Sequence, residues 1–134
     1  MAEHLVVRGL IATEPRLIET ETGISVLSFR LAAAQRRFDS ESGKWLSDQT
    51  NWFSVSSFRK LADNSSQSLA KGDRVLVSGR LKIRDWDNGE RRGTSVELEA
   101  DAIGHDLTFG TTDFRRAEPS TEDAEDSEAE LQPA

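Results

Sequence analysis

Strand-like hydrophobic patterns recur along the chain, and one stretch has a helical pattern. Apolar residues alternate with polar ones, or cluster between turn residues, over residues 5–11, 24–38, 51–58, 74–86 and 94–103. Between the third and fourth of these stretches, residues 59–70 carry apolar and small residues at helical spacing, and Lys71-Gly72-Asp73 supplies a stop signal with a cation in the last turn. The pattern therefore predicts five strands and one short helix, in the order β-β-β-α-β-β.

The connections between the strands are predicted to be turns and one long loop. Glu21-Thr22-Gly23 is a turn sequence, and Asp87-Asn88-Gly89 favours a tight type I′ hairpin. Residues 39–50 are polar and contain Gly43, which predicts a long hairpin loop carrying Lys44 and Trp45. Five strands with a helix after the third is the element order of an OB-fold, a five-stranded Greek-key barrel. We therefore expect an all-β OB-fold with one short α-helix.

Large aromatic residues fall on the polar face of two predicted strands. Phe53 and Val55 share one face of their strand, whereas Trp52 and Phe58 lie on the other with Ser54 and Ser56. In the fourth strand the inward positions are Val75, Val77, Leu81 and Ile83, and the outward ones include Arg80, Lys82, Arg84 and Trp86. The last strand is expected to turn Thr94, Val96, Leu98, Ala100 and Ala102 inward and Ser95, Glu97, Glu99 and Asp101 outward. Its outer face is acidic, so we do not expect it to contact the phosphates of a nucleic acid.

Aromatic rings among cations on an outward strand face fit single-stranded nucleic acid, because bases stack on the rings and phosphates pair with the cations. The candidate stacking residues are Trp52, Phe58, Trp86, Phe38 and Trp45. The candidate phosphate contacts are Arg30, Arg36, Arg37, Lys60, Lys71, Arg80, Lys82 and Arg84.

Alternative explanations for these residues remain open at the level of sequence. A single aromatic residue is more often part of a core, and Glu97 and Glu99 are cross-strand candidates to neutralise the row of cations in place of phosphate. A protein-interaction OB module and an RNA-binding role are the alternative functions. The abundance of Arg and Lys argues against the first, because protein interface cores are depleted in charge.

Charge and composition limit the other classes of function. The formal net charge is −7, but residues 117–134 hold seven acidic residues and no Lys or Arg, so the remaining body is neutral. We expect an OB domain over residues 1–110 and a disordered acidic C-terminal tail over residues 111–134. There is no cysteine, and His4 and His105 have no metal-ligand spacing, so we predict no enzyme activity, catalytic residue, metal or cofactor. No stretch approaches the about 20 apolar residues of a membrane span, and we expect a cytoplasmic, nucleoid-associated protein.

Three short motifs of defined spacing lie within residues 4–106. The most specific is Q-T-x-W…F-x-K-L-A, present as Gln49-Thr50-Asn51-Trp52 and Phe58-Arg59-Lys60-Leu61-Ala62. The weaker ones are Gly9 to Pro15 and the block formed by Lys71-Gly72-Asp73-Arg74-Val75, Gly79-Arg80-Leu81 and Arg84-Asp85-Trp86. In these motifs the sequence resembles the bacterial single-stranded DNA-binding protein (SSB) family, although Leu10 replaces the usual Asn.

The resemblance implies base stacking by Trp52, Phe58, Trp86 and Phe38, and a homotetramer that protects single-stranded DNA during replication, recombination, repair or uptake. Family members that dock partners through the tail end in Pro-Phe, whereas this chain ends Leu131-Gln132-Pro133-Ala134. The missing aromatic tip resembles a short-tailed actinobacterial-type paralogue and argues against tail-mediated protein partners. Phe53 stands where the best-known members carry a His near subunit contacts.

Overall fold

A computed structural model describes residues 3–117, except for the side chains of residues 35–37 and 46–48. Its elements are β1 (Glu3–Ile11), β2 (Arg16–Glu19), β3 (Ser25–Asp39), β4 (Lys44–Phe58), α1 (Arg59–Ser68), β5 (Arg74–Asp87) and β6 (Arg92–His105). The predicted order is confirmed, with β2 added as a short exposed strand at the edge of the sheet. Residues 111–117 are exposed and irregular, and the rest of the predicted tail lies outside the described residues.

The strands form one closed sheet. They are ordered β1-β5-β6-β4-β3-β2, and β1 also pairs with β3 through Leu10–Ala32 and Ile11–Leu31, which closes a five-stranded barrel. The pairs are antiparallel except for β4 with β6, which run parallel through Ser54–Glu97, Val55–Leu98 and Ser56–Glu99. The expected OB-fold is therefore confirmed.

The inward residues of the barrel strands form one core. Its buried members are Val7, Ile11, Phe29, Leu31, Ala33, Val55, Val75, Val77, Leu98 and Ala100. Helix α1 follows β4 without a linker, and Arg59 has a left-handed φ of 60° at this junction. The helix buries Ala62 and Ser65, and Leu61 packs against the core. It ends at Ser68, earlier than predicted, so Lys71 lies in the following connection and not in the last helical turn.

A β-bulge in β6 reverses the orientation that alternation predicts for the last residues of this strand. Ser78 pairs with Ala102 and Gly79 with Ala100, so Asp101 is an extra residue in β6. The alternation reverses there: Ala102, predicted inward, is exposed, and Ile103 packs against the core. Gly79 is required at this close approach, because a Cβ atom would lie 2.3 Å from the carbonyl oxygen of Glu99.

The far end of the β5–β6 hairpin projects beyond the barrel. The last described β1 pair is Glu3–Leu81 and the parallel β4 pairing begins at Glu97, so among the described residues the strands past these points pair only with each other. Ile83, predicted to face the core, is therefore exposed. The predicted turn is present, but four residues separate the pair Asp87–Arg92, and only Gly89 among them has a positive φ. The connection is thus not of type I′.

The β3–β4 hairpin also differs from the prediction. Asp39 pairs with Lys44, so residues 40–43 form a short turn and the predicted long loop over residues 39–50 is wrong. Lys44 and Trp45 belong to β4. The turn predicted at residues 21–23 is confirmed, with the Gly23 N–H donating to the carbonyl oxygen of Thr20 at 2.9 Å.

Candidate nucleic-acid interface

The outer faces of β3, β4, β6 and β5 form a groove of about 350 Å³. Strand β6 lies between β4 and β5 and carries carboxylates. These carboxylates separate the serines and the aromatic ring of β4 on one side of the groove from the cations of β5 on the other. The lining residues are Ser28, Ser54, Val55, Ser56, Phe58, Lys82, Arg84, Glu97 and Glu99.

The Trp52 ring lies beside this groove with 48% of the residue exposed. Its cross-strand partner is the small Ala32, which leaves room above the strand. The guanidinium carbon of Arg30 is 5.6 Å from the centre of the ring, and Arg30 Nη1 donates a hydrogen bond of 3.1 Å to Ser54 Oγ. Arg30 therefore orients the ring as well as adding positive charge. Sequence reasoning had assigned it only a phosphate contact.

The Trp86 ring rests on a glycine that sequence reasoning missed. Trp86 pairs with Gly93 across the β5–β6 hairpin and is 44% exposed. A Cβ atom on Gly93 would lie 2.4 Å from Cζ2 of the ring, so the ring occupies the space that a side chain would take. Finding this partner from sequence requires the strand register, which alternation alone does not supply.

Phe58 lines the groove at the end of β4 and is 40% exposed. It is followed at once by Arg59 and Lys60, which begin α1. The strand-to-helix junction therefore carries one aromatic ring and two cations in consecutive positions.

Phe38 and Trp45 form an aromatic pair near the tip of the β3–β4 hairpin. The ring centres are 5.4 Å apart in an edge-to-face arrangement with an interplanar angle of 60°. Ala34 pairs with Thr50 but Arg36 pairs with Ser47, so β4 contains one extra residue. This bulge brings Trp45 to the face of Phe38, because strict alternation from Trp52 would place it on the opposite face.

The cations of β5 have carboxylate partners. Lys82 Nζ lies 2.7 Å from Glu99 Oε2, and Arg84 Nε lies 3.2 Å from Glu97 Oε2. The hydrogen bond from Lys82 lowers the pKa of Glu99, partial burial opposes this effect, and Arg80 across the strand pair adds to it. The cross-strand neutralisation that the sequence left as an alternative is thus present, and the acidic face of β6 lines the groove.

Among the described side chains, the groove lining does not include the other predicted phosphate contacts, which are Arg30, Lys60, Lys71 and Arg80. Lys71 lies in the connection after α1, where the Gly72 N–H donates to the Ile11 carbonyl oxygen at 2.8 Å. The backbones of Arg36 and Arg37 pair with Ser47 and Leu46, and their side chains lie outside the described part of the structure.

Residues 2–106 match the family model described as the single-strand binding protein family. The chain belongs to this family. The motif that carried the resemblance spans the groove side of β4 and the junction with α1, from Gln49 to Ala62. The matched range of the single-strand binding protein family includes the segment that positions Trp52 and Phe58.

Relatives in this family are found in actinobacteria. The chain is 47% identical over 113 residues to single-stranded DNA-binding protein 2 of Tropheryma whipplei, covering 84% of this chain and 74% of that protein. The crystal structure of a small single-stranded DNA-binding protein from Streptomyces coelicolor matches with a TM-score of 0.75 and 40% identity, covering 81% of this chain and 98% of that chain. The second single-stranded DNA-binding protein of Mycobacterium smegmatis matches with a TM-score of 0.66 and 28% identity, covering 87% and 100% of the two chains.

The histidines lie in ordinary side-chain pairs. His4 Nε2 is 2.6 Å from Asp101 Oδ2, and His105 Nε2 is 3.0 Å from Asp73 Oδ2. Among the described residues no cluster of three or more His, Cys, Asp or Glu is arranged to hold a metal ion. Within the same residues no helix is long and apolar enough to span a membrane.

Proposed function

We propose that the protein binds single-stranded DNA with little sequence preference by stacking bases on exposed aromatic rings. The observation that carries this proposal is the exposure of Trp52, Phe58 and Trp86 on outer strand faces beside Arg and Lys. A core aromatic would be buried, whereas these rings are 40–48% exposed. Membership in the single-strand binding protein family and the names of its relatives support the same function.

Stacking explains why such binding would tolerate any sequence, since every base presents a flat π-surface. Phe38 and Trp45 would extend the stacking surface along the β3–β4 hairpin. The phosphates would contact Arg30, Lys60, Arg80, Lys82 and Arg84, and along the path of a longer strand also Arg36, Arg37 and Lys71. Binding would be non-covalent, and we assign the protein no enzymatic activity.

A homo-oligomer, in the family's terms a homotetramer, is part of the proposal. Val6 on β1 and Leu76 on β5 are exposed apolar residues on the outer face of adjacent strands. A second copy of the chain would remove them from water. The assembly would act in the cytoplasm at the nucleoid, where it would protect single-stranded DNA in replication, recombination, repair or uptake.

The test is titration of the protein with fluorescein-labelled oligo-dT at two salt concentrations, read by anisotropy and by quenching of tryptophan fluorescence. We expect saturable quenching and a dissociation constant that rises with salt, because binding releases counterions from the phosphates. Trp52→Ala and Trp86→Ala should each weaken binding about fivefold or more, because a stacked base contributes about 1–3 kcal/mol and 1 kcal/mol is about fivefold in affinity.

Phe114→Ala is the matched control, because Phe114 is an exposed aromatic residue outside the sheet. Its affinity for oligo-dT should equal that of the wild type. Absence of quenching at low salt would reject the stacking groove and favour a protein-interaction module. A parallel titration with a matched RNA strand decides between DNA and RNA, and tighter binding of the RNA would reject the DNA assignment.

A further inference from the structure

Two carboxylates occupy the centre of the proposed DNA groove. Glu97 and Glu99 lie on β6, with the serines of β4 on one side and the cations of β5 on the other. We infer that Glu97 and Glu99 compete with DNA phosphates for Lys82 and Arg84, so that the protein binds single-stranded DNA more weakly than its cations alone would allow. This inference rests on the proposed function.

The ion pairs use the same cations that phosphate would contact. Lys82 and Arg84 reach diagonally across the strand pair to Glu99 and Glu97, at 2.7 and 3.2 Å. A phosphate close to either cation would therefore lie close to a carboxylate as well. Two negative groups around one cation repel each other, so the ion pair between carboxylate and cation must open before the phosphate binds closely.

The exposures of the partners determine which group can move. The side chains of Glu97 and Glu99 are each 34% exposed, whereas Lys82 is 45% and Arg84 is 67% exposed. The cations can therefore turn outward to a phosphate more easily than the carboxylates can leave the groove. Once the cations have turned, two unpaired negative charges remain beneath the DNA.

The salt dependence of binding should carry a signature of this competition. In the free protein Lys82 and Arg84 are neutralised by carboxylates, so DNA binding to them displaces few anions from solution. The freed Glu97 and Glu99 instead take up cations, which offsets part of the counterion release from the DNA. Neutral side chains at these positions should therefore steepen the dependence of affinity on salt.

The experiment measures anisotropy of labelled oligo-dT with wild type, Glu97→Gln, Glu99→Gln and the double variant between low and physiological salt. Gln keeps the shape and removes the charge. We expect each single substitution to tighten binding at low salt about three- to tenfold, the range of a partly exposed ion pair of about 1 kcal/mol, and the double variant to show the steepest salt slope.

Glu19→Gln is the control for net charge, because Glu19 is an exposed carboxylate on β2 that does not line the groove. Its affinity should match the wild type. A second comparison introduces Glu99→Gln into the Lys82→Gln variant. There the gain in affinity for oligo-dT should be smaller than in the wild type, because the ion pair is already lost. Unchanged or weaker binding by Glu97→Gln and Glu99→Gln would overturn the inference and assign these carboxylates to positioning the cations. Failure of the wild type to bind oligo-dT would instead overturn the proposed function, and the inference with it.

Discussion

Four of the outer aromatic rings, those of Trp52, Trp86, Phe38 and Trp45, pack against three different kinds of neighbour. Arg30 lies over Trp52, Trp86 covers Gly93, and Phe38 meets Trp45 edge to face. A neighbour covers part of a ring and leaves the rest exposed. A base can stack on a ring only where one of its faces remains open, so the neighbours determine which faces are available.

Gly93→Ala should displace the Trp86 ring without unfolding the barrel. The new Cβ atom would lie 2.4 Å from the ring, which must move, while the hairpin end that carries it projects into solvent. We expect affinity for oligo-dT to fall about fivefold or more. Fivefold corresponds to about 1 kcal/mol, the lower end of the contribution of one stacked base. Anisotropy titration and a thermal melt together measure both effects.

Gly104→Ala is the matched control, since it makes the same change in the same strand and its Cβ atom would meet nothing within 4 Å. If Gly93→Ala binds DNA as tightly as this control, the glycine does not position Trp86.

Sequence alternation predicted the outward faces of Trp52, Phe58 and Trp86 but not their neighbours. Alternation fixes a face within one strand, whereas a neighbour such as Gly93 is fixed by the register between two strands. The same limit applies to Glu97 and Glu99: alternation predicts their outward face, but only the register places them in the groove beside Ser54 and Ser56.

At the scale of elements, two bulges decide which side chains reach which face. The bulge in β4 brings Trp45 to Phe38, and the bulge in β6 turns Ala102 outward. A polar stretch such as residues 44–50 looks like a loop in the sequence because no core face marks it. Pairing with β3 nevertheless makes it a strand, so the hairpin and its aromatic pair could not be predicted from local pattern alone.

Phe38→Ala and Trp45→Ala test whether the hairpin rings form one stacking platform. Each substitution should weaken binding of oligo-dT about fivefold or more, because a lost stacking contact costs about 1–3 kcal/mol. The double variant should lose less binding free energy than the sum of the losses of the two single variants, because each ring holds the other in place.

The measurement is a double-mutant cycle read by anisotropy, with thermal melts to check that the variants fold. Phe38→Ala combined with Trp52→Ala serves as the comparison, because Trp52 faces Ala32 and not Phe38. Full additivity for Phe38 and Trp45 would mean that the two rings act separately.

At the scale of the whole molecule, an ion pair joins the first strand to the segment after the last one. Arg8 donates to Asp106 Oδ2 from Nε at 3.0 Å and from Nη2 at 2.7 Å, and the Thr108 N–H donates to Asp106 Oδ1 at 3.0 Å. The hydrogen bonds from Arg8, and then that from Thr108, lower the pKa of Asp106. The pair therefore stabilises the folded state whenever this carboxyl is ionised.

Asp106→Asn should lower the melting temperature at neutral pH, and the difference from wild type should disappear in acid. Because the folded pKa lies below the unfolded one, the stabilisation is complete above the ordinary Asp value of about 3.9 and is lost as the pH falls through the lowered pKa. Thermal melts from pH 7 to pH 3 measure the difference, with the exposed Asp113→Asn as control. A difference that persists unchanged in acid would mean that the charge of Asp106 is not its cause.

The short parallel seam between β4 and β6 links folding to the ability to bind. The two hairpins, β3–β4 and β5–β6, contain mostly local pairings, whereas the three pairs of the seam join distant parts of the chain. Local pairings close small loops and form first, and distant ones form later. The five candidate stacking rings can thus be in place on their hairpins before Ser54 and Ser56 meet Glu97 and Glu99. We expect a chain without the seam to carry the rings without the groove, so that capture of DNA reports closure of the seam.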